Sequence, residues 1–379
     1  MYEPLGFRTT YQPRDFDNQT ERGGNPQEPI LGAIDNSYKG SKVNGLWVNS
    51  LPQQDVLILN DNNEKLFPLI VAADKSIIVL DQSLYSPSAV DKTRGLRDIS
   101  SAPADDSELA AIGCVKVTDL CLLNFESDLL NKKTKVLDIT EVPAAKAATR
   151  SFAELFLKTA ATELDVGIGE LQVGFQTRRT ENGQSVVEQI FISDSLENGA
   201  GYASVISTPA MIEKILDQIL HHTKNLFEKK LHSSHCDSSC PDCLRSYENR
   251  RNHGFLDWRL ALDMAEVATG VNYDEDRWLR NSEKLADDLS GAYIDLGFNI
   301  KKVRVGKLFG MANETRGVIF SHPLWSNAQA NWNEDQSQAF FEMRSNIPVW
   351  DGSNPFIDLW TLKTRSQVAF ERLILDGNR

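Results

Sequence analysis

Apolar positions change their period along this chain, and each change marks an expected element. From about residue 43 short apolar runs alternate with polar turns, at 43–48, 56–59, 66–71 and 77–80, separated by QQD, NDNNEK and AADKS. Runs of this length bounded by Asp, Asn and Lys predict β-strands. The segment 84–110 is polar throughout and predicts a long loop. CVKVTDLCLLNF and then KVLDITEVP close a β-rich unit near Pro143. Residues 1–40, rich in Gly, Pro, Asn and Gln, predict an extended arm.

The period then lengthens to that of a helix. Phe152, Leu155, Phe156, Ala160 and Leu164 fall on one stripe, and Ser151 with Glu154 has the spacing of a capping box. LQVGFQTRR, the turn ENG and SVVEQIFISD read as a hairpin, which runs into Asp194 and the turn Asn198-Gly199-Ala200-Gly201-Tyr202. Thr208-Pro209 opens a long amphipathic helix carrying Ile212, Ile215, Leu216, Ile219 and Leu226 on one face. It leads into a cysteine cluster, after which 256–267 is again helical. From Asp274 a small α/β unit is expected: a helix at 277–292, strands at 299–309 and 316–321, a helix at 333–343 and a strand at 356–362. The pattern as a whole predicts an α+β chain. Its divisions are an arm (1–40), a β-rich domain (41–145), a helix-hairpin-helix module around the cysteines (146–270) and a small α/β C-terminal domain (271–379).

Composition narrows the partners. The 379 residues are 41% hydrophobic and 25% charged, which is ordinary globular material. There is no run of 18 apolar residues to span a bilayer and no apolar stretch near the N-terminus, so a soluble, cytoplasmic protein is expected. The net charge of -13 argues against a free-standing duplex binder, because phosphate neutralisation needs a basic balance. Charge is uneven, however. Residues 224–259 hold seven Lys/Arg against five Asp/Glu and three of the six histidines. A second basic run, Lys301, Lys302, Arg304 and Lys307, follows. The plain reading of both is a solvated face.

The chemistry is concentrated in Cys236-x3-Cys240-x2-Cys243. Three of the five cysteines within eight residues of a reducing-compartment chain argue for metal rather than disulfides, while Cys114 and Cys121 read as buried thiols. Two- and three-residue spacers let one tight loop present thiolates to a tetrahedral Zn2+. His253, returning after a short excursion, is the expected fourth ligand, with His232 and His235 as competitors. Three sulfurs and an imidazole close the coordination sphere, so the zinc is expected to be structural. The deaminase arrangement, which needs H-x-E, is not present.

The neighbours of the cluster carry a resemblance. A helix ending near Leu164-Asp165-Val166 is followed by a hairpin ending in Asp194 and by Asn198-Gly199-Ala200-Gly201-Tyr202. A long helix, Cys-x3-Cys-x2-Cys-Leu-Arg-Ser-Tyr-x-Asn, and His253-x2-Leu256-Asp257-x-Arg259-x-Ala261-Leu262 complete the order. Over about 110–268 this resembles the MrfA-like zinc-binding domain of bacterial superfamily 2 repair helicases, also found in helicase-associated proteins of the anti-phage systems DISARM and Druantia. The opening Tyr2-Glu3-Pro4-Leu5-Gly6-Phe7 and the tail Val318-Ile319-Phe320-Ser321-His322-Pro323-Leu324-Trp325 look like segments of the defence proteins. In MrfA-type helicases the fourth ligand is a cysteine. The resemblance places His253 there, which supports it.

No Walker A loop G-x4-G-K-[ST] and no D-E-x-x box on a strand end occur in the chain, and Asp274-Glu275-Asp276 reads as the charged start of a helix. The resemblance therefore implies a non-catalytic, zinc-binding, helicase-associated subunit, or the C-terminal part of a split superfamily 2 helicase. Such a protein would act on DNA in bacterial anti-phage defence with an ATPase supplied by a partner. Lys229, Lys230, Arg245, Arg250 and Arg251 are the candidate phosphate contacts, and Tyr247 and Trp258 could stack on bases. The alternative is a nuclease whose active site lies in the C-terminal α/β domain. There His322 reads as structural or as a contact residue, and the glycine turn as a tight connection without a phosphate.

Overall fold

A strand buried on both faces must carry apolar side chains at consecutive positions. Cys121-Leu122-Leu123 and Ile190-Phe191-Ile192 meet that condition, and they pair antiparallel in the centre of a sheet. The computed structural model describes residues 29–31, 40–60, 67–71, 77–79, 108–110, 112–125, 139, 142–179, 186–196, 199–350 and 353–375. Most of the expected arm over 1–40, most of the loop over 84–110 and most of the strand expected at 135–143 fall outside these residues, as does the side chain of Cys114.

The first strands are β1 (Pro29–Leu31), β2 (Ser41–Val43), β3 (Leu46–Asn60), β4 (Phe67–Val71), β5 (Ile77–Val79), β6 (Glu108–Ala110) and β7 (Ile112–Phe125). The strands expected at 43–48 and 56–59 are parts of β2 and the single strand β3. A bulge between Leu51 and Gln54 bends β3. Pro52 has no N–H for the ladder, and Gln53, at φ 53°, donates its own to Asp119 Oδ1 at 3.1 Å. After helix α1 (Ala145–Glu163) the hairpin β8 (Leu171–Arg179) and β9 (Val186–Asp194) joins the sheet, whose order is β1-β3-β7-β9-β8 with β2 also on β3. A second small sheet has the order β5-β4-β6.

Helix α1 starts before the expected cap. Its alanine-rich opening favours helix without a side-chain cap, so Ser151 and Glu154 lie inside it, both buried, and form no capping box. Cys121, Leu123, Ile190 and Ile192 pack under α1 with Phe152 and Phe156. Leu51, Val56, Leu120, Leu122 and Phe191 fill the opposite face.

Then come α2 (Tyr202–Ile206) and α3 (Pro209–Gln218), a π turn (Ile219–Thr223), α4 (Lys224–Glu228), α5 (Lys230–Ser233) and α6 (Trp258–Ala268). Pro209 opens α3 as expected, but Thr208 Oγ1 donates to Val205 O instead of capping it. Helix α6 packs beside α1, so α1 is enclosed on nearly all sides.

The remainder comprises α7 (Asp276–Leu279), α8 (Ser282–Asp295), β10 (Lys301–Val305), β11 (Leu308–Ala312), β12 (Gly317–Ser321), α9 (Glu334–Asn346), β13 (Phe356–Asp358), α10 (Leu359–Thr364) and α11 (Gln367–Phe370). Its sheet order is β10-β11-β12-β13, with the last pair parallel. The strand expected at 356–362 stops at Asp358, whose carboxylate accepts Thr361 N–H at 2.8 Å and starts α10 instead. The mixed architecture is α+β, as the pattern predicted.

Apolar packing is continuous from α1 and α6 into Met311, Val318, Phe320, Ile357 and Leu362 of the C-terminal sheet and α10. A buried charge cluster crosses the same junction. Arg277 of α7 donates to Glu266 Oε1 at 2.8 Å, to Glu228 Oε1 at 3.1 Å and to Asp263, while Trp278 Nε1 donates to Asp263 Oδ2 at 2.9 Å. His322 is fully buried against the Tyr273 ring, 4.7 Å between centroids. Its Nδ1 accepts Leu324 N–H at 3.1 Å, and burial beside Arg277 keeps its pKa well below the usual imidazole range. Among the described residues no helix is long and apolar enough to cross a membrane.

Candidate metal centre

The helix before the cysteines is interrupted at Lys229, whose backbone is extended (φ -60°, ψ 142°) and divides α4 from the single turn α5. That break folds His232 back onto Phe227, with ring centroids 5.0 Å apart. Cys236 N–H donates to His232 O at 2.9 Å, so the two residues share a helical turn. The chain then loops so that Cys240 N–H donates to Cys243 Sγ at 3.0 Å. His232, Cys236, Cys240 and Cys243 each bring one donor atom to within 4.8 Å of the others.

The spacing within this group can be tested against zinc. Cys236 Sγ and Cys243 Sγ are 3.7 Å apart, Cys240 Sγ and Cys243 Sγ 3.6 Å, and Cys240 Sγ and His232 Nε2 3.7 Å. A tetrahedron built on Zn–S bonds of about 2.3 Å has edges of about 3.8 Å. A disulfide would hold two sulfurs at about 2.05 Å, and the three thiols are free. Three of the six donor–donor edges therefore have the length that a tetrahedral zinc site needs. Burial, with the close approach of the other thiols, pushes the thiols of Cys236 and Cys243 up. Packed thiolates repel one another, and a divalent cation among them reverses that preference.

The histidine in this group is not the expected one. His232 Nδ1 lies 3.0 Å from Phe227 O, and a carbonyl only accepts, so Nδ1 carries the proton and the Nε2 lone pair is directed at the sulfurs. His253 points elsewhere. Its Nε2 faces Ser246 O at 3.0 Å and Asn249 Oδ1 at 2.9 Å, and burial lowers its pKa. It braces the loop that leaves the cluster. His235 is exposed, with Nδ1 against Leu231 O and Ser234 Oγ. The helical spacing His232-x3-Cys236, which puts both on one face, was the signal available in the sequence.

Helices α1 and α6 hold the loop from outside. Trp258 Nε1 donates to Cys236 O at 3.1 Å. On α1, Arg150, Glu154 and Lys158 are four residues apart and form one polar stripe. Arg150 reaches Asn252 and forms an ion pair with Glu188 at 3.1 Å, and Glu154 Oε2 accepts Asn249 Nδ2 at 2.8 Å. Lys158 Nζ donates to Cys243 O at 2.8 Å, Arg245 O at 3.2 Å and Pro241 O at 3.3 Å. Sequence reasoning missed this stripe, because four-residue spacing of charges also suits a solvated face. From the C-terminal part, Lys363 of α10 pairs with Asp237 Oδ1 at 3.0 Å.

The structure separates the candidate phosphate contacts. Lys229 and Lys230 are exposed beside His232. Arg245 Nε donates to Ser239 Oγ at 2.9 Å and braces the loop itself. The guanidinium of Arg250 lies 4.3 Å from the ring centre of Tyr247, which is 65% exposed. Trp258 is buried, and the side chain of Arg251 falls outside the described residues. Two of the four cations of the second basic run are matched by acids: Lys302 pairs with Glu283 and Asp287, and Lys307 with Asp335 and Glu275. The glycine turn holds the protein's own anion. Asp194 accepts Gly201 N–H at 2.7 Å, Tyr202 N–H at 3.1 Å and Ala203 N–H at 2.8 Å. Gly199 sits at φ 64°, where an added Cβ would meet Asp194 Oδ2 at 2.8 Å.

Three sulfurs and an imidazole, clasped between two helices, define a zinc-binding module with a closed donor set. Residues 145–244 match the MrfA Zn-binding domain family. The chain is also similar to the Druantia protein DruE of Escherichia coli (strain UMEA 4076-1), 32% identical over 106 residues, which is 28% of this chain and 5% of DruE. Among solved structures it is similar to the DUF1998 helicase MrfA bound to DNA, at 11% identity and a TM-score of 0.34 over 63% of this chain and 24% of that one. The chain thus spans only a small part of either protein.

Proposed function

We propose that this chain is a non-catalytic, zinc-stabilised subunit, or the C-terminal part of a split superfamily 2 helicase, that acts on DNA with a partner ATPase in anti-phage defence. The observation that carries the reading is the tetrahedral Cys3His donor set inside the MrfA Zn-binding domain. Likeness to a Druantia protein over a stretch of 106 residues supports the defence setting. His232 is the fourth ligand in this reading, since its protonated Nδ1 and free Nε2 have the arrangement of a ligating histidine. With every donor supplied by the protein, the zinc has no open position for substrate and its role is structural.

The zinc loop ties α3–α4 to α1 and α6. Lys229 and Lys230, exposed beside His232, and the half-buried Arg250 are the proposed phosphate contacts. Two buried titratable groups of the C-terminal domain serve structure: Asp358 caps α10, and His322 is buried in an aromatic box. Binding of the purified chain to single- and double-stranded DNA over a salt series tests the reading. Lys229→Glu with Lys230→Glu is expected to abolish binding. Their neutral glutamine counterparts should lower the salt slope by about 2, one for each phosphate no longer neutralised. DNA cleavage by the chain alone with Mg2+ would sink it in favour of the nuclease.

A further inference from the structure

Lys158 belongs to no metal motif, lying on α1 far from the cysteines in sequence, yet its ammonium is directed at the backbone of the zinc loop. An ammonium has three N–H donors, and here it meets three acceptors: the carbonyls of Cys243 at 2.8 Å, Arg245 at 3.2 Å and Pro241 at 3.3 Å. Those carbonyls belong to the turn that carries the last sulfur. The peptide unit between Cys243 and Leu244 is the informative one. Its carbonyl accepts from Lys158, and it leaves the residue whose Sγ accepts Cys240 N–H at 3.0 Å. A cation shared by the three carbonyls holds the ligating turn in place. Charge gives the same sign: three thiolates, one neutral imidazole and Zn2+ sum to -1, and a half-buried ammonium beside them offsets it.

We propose that Lys158 is the positioning cation of the zinc centre. It holds residues 241–245 in the ligating turn and balances the net negative charge of the loaded site. Zinc affinity and sulfur reactivity then depend on a residue outside the Cys/His set. The inference rests on the zinc reading above, and the two fail differently.

The test is zinc competition against a chromogenic chelator in the full chain, with metal content and far-UV circular dichroism measured on the same samples. Lys158→Met is expected to fold with one zinc per chain and to bind it about 10- to 100-fold more weakly, the range for loss of a partner outside the ligand shell. Its thiols should also be alkylated faster, because uncompensated thiolate charge makes the sulfurs better nucleophiles. Lys158→Gln keeps the polar stem without the charge and reports the charge effect should the methionine variant fail to fold. Lys158→Arg restores the charge but not the three-donor geometry, and is expected to recover only part of the affinity. Lys214→Met, which removes an exposed cation of α3, is the control and should change nothing. Affinity and alkylation rate within twofold of wild type in a folded Lys158→Met or Lys158→Gln chain would overturn the proposal. A wild-type chain without stoichiometric zinc would overturn the zinc reading instead.

Discussion

The sharpest prediction concerns which histidine holds the metal. His232→Ala removes an imidazole whose Nε2 lies 3.7 Å from Cys240 Sγ, whereas His253→Ala removes one bonded only within the loop it braces. Structural zinc contributes about 10–16 kcal/mol of apparent binding free energy, shared among four ligands. One ligand is therefore worth roughly 2.5–4 kcal/mol, or about 10²–10³ in affinity, if water fills the vacated position. His253→Ala loses hydrogen bonds worth about 1 kcal/mol each, and these belong to fold stability rather than to the metal. Chelator competition on both variants, with Co2+ substitution to report the donor set, separates the two. His232→Ala should bind Co2+ weakly with a spectrum lacking the nitrogen donor, and His232→Cys should shift it towards four sulfurs. Retained affinity in His232→Ala with loss of zinc in His253→Ala would refute the assignment.

Other consequences follow from the packing. Arg277→Met leaves Asp263 buried without its cation and Glu266 with Lys224 alone, and should destabilise the chain by about 3–5 kcal/mol in urea unfolding. Adding Asp263→Asn and Glu266→Gln should recover part of that loss. Asp194→Ala strips the acceptor from three backbone N–H groups at the start of α2. It should lower stability by about 2–4 kcal/mol, at unchanged zinc content. Removal of zinc by a strong chelator should raise hydrogen exchange over residues 229–257 while β7, β8 and β9 keep their protection, since those strands are held by their own ladder. Equal deprotection of the sheet would show that the metal supports the whole fold.

Much of this arrangement was written in local pattern. The β8–β9 hairpin, α3, α6 and the three cysteines follow from period and spacing, because each depends on neighbours a few residues away. The closed, three-thiolate character of the metal site was legible for the same reason. The fourth ligand was not. His253 has the natural return distance and the place the family resemblance assigns, and only the break at Lys229 decides that His232 is turned onto the sulfurs. The charges of α1 were equally opaque. Arg150, Glu154 and Lys158 suit an exposed face by sequence, and they are drawn inward because loop carbonyls and amides at 241–252 need partners where water cannot reach. Sequence thus determined most of the elements and the clustering of three thiols on one loop. Tertiary structure chose the outer partners on α1, since those contacts join positions up to about a hundred residues apart, which no local period encodes.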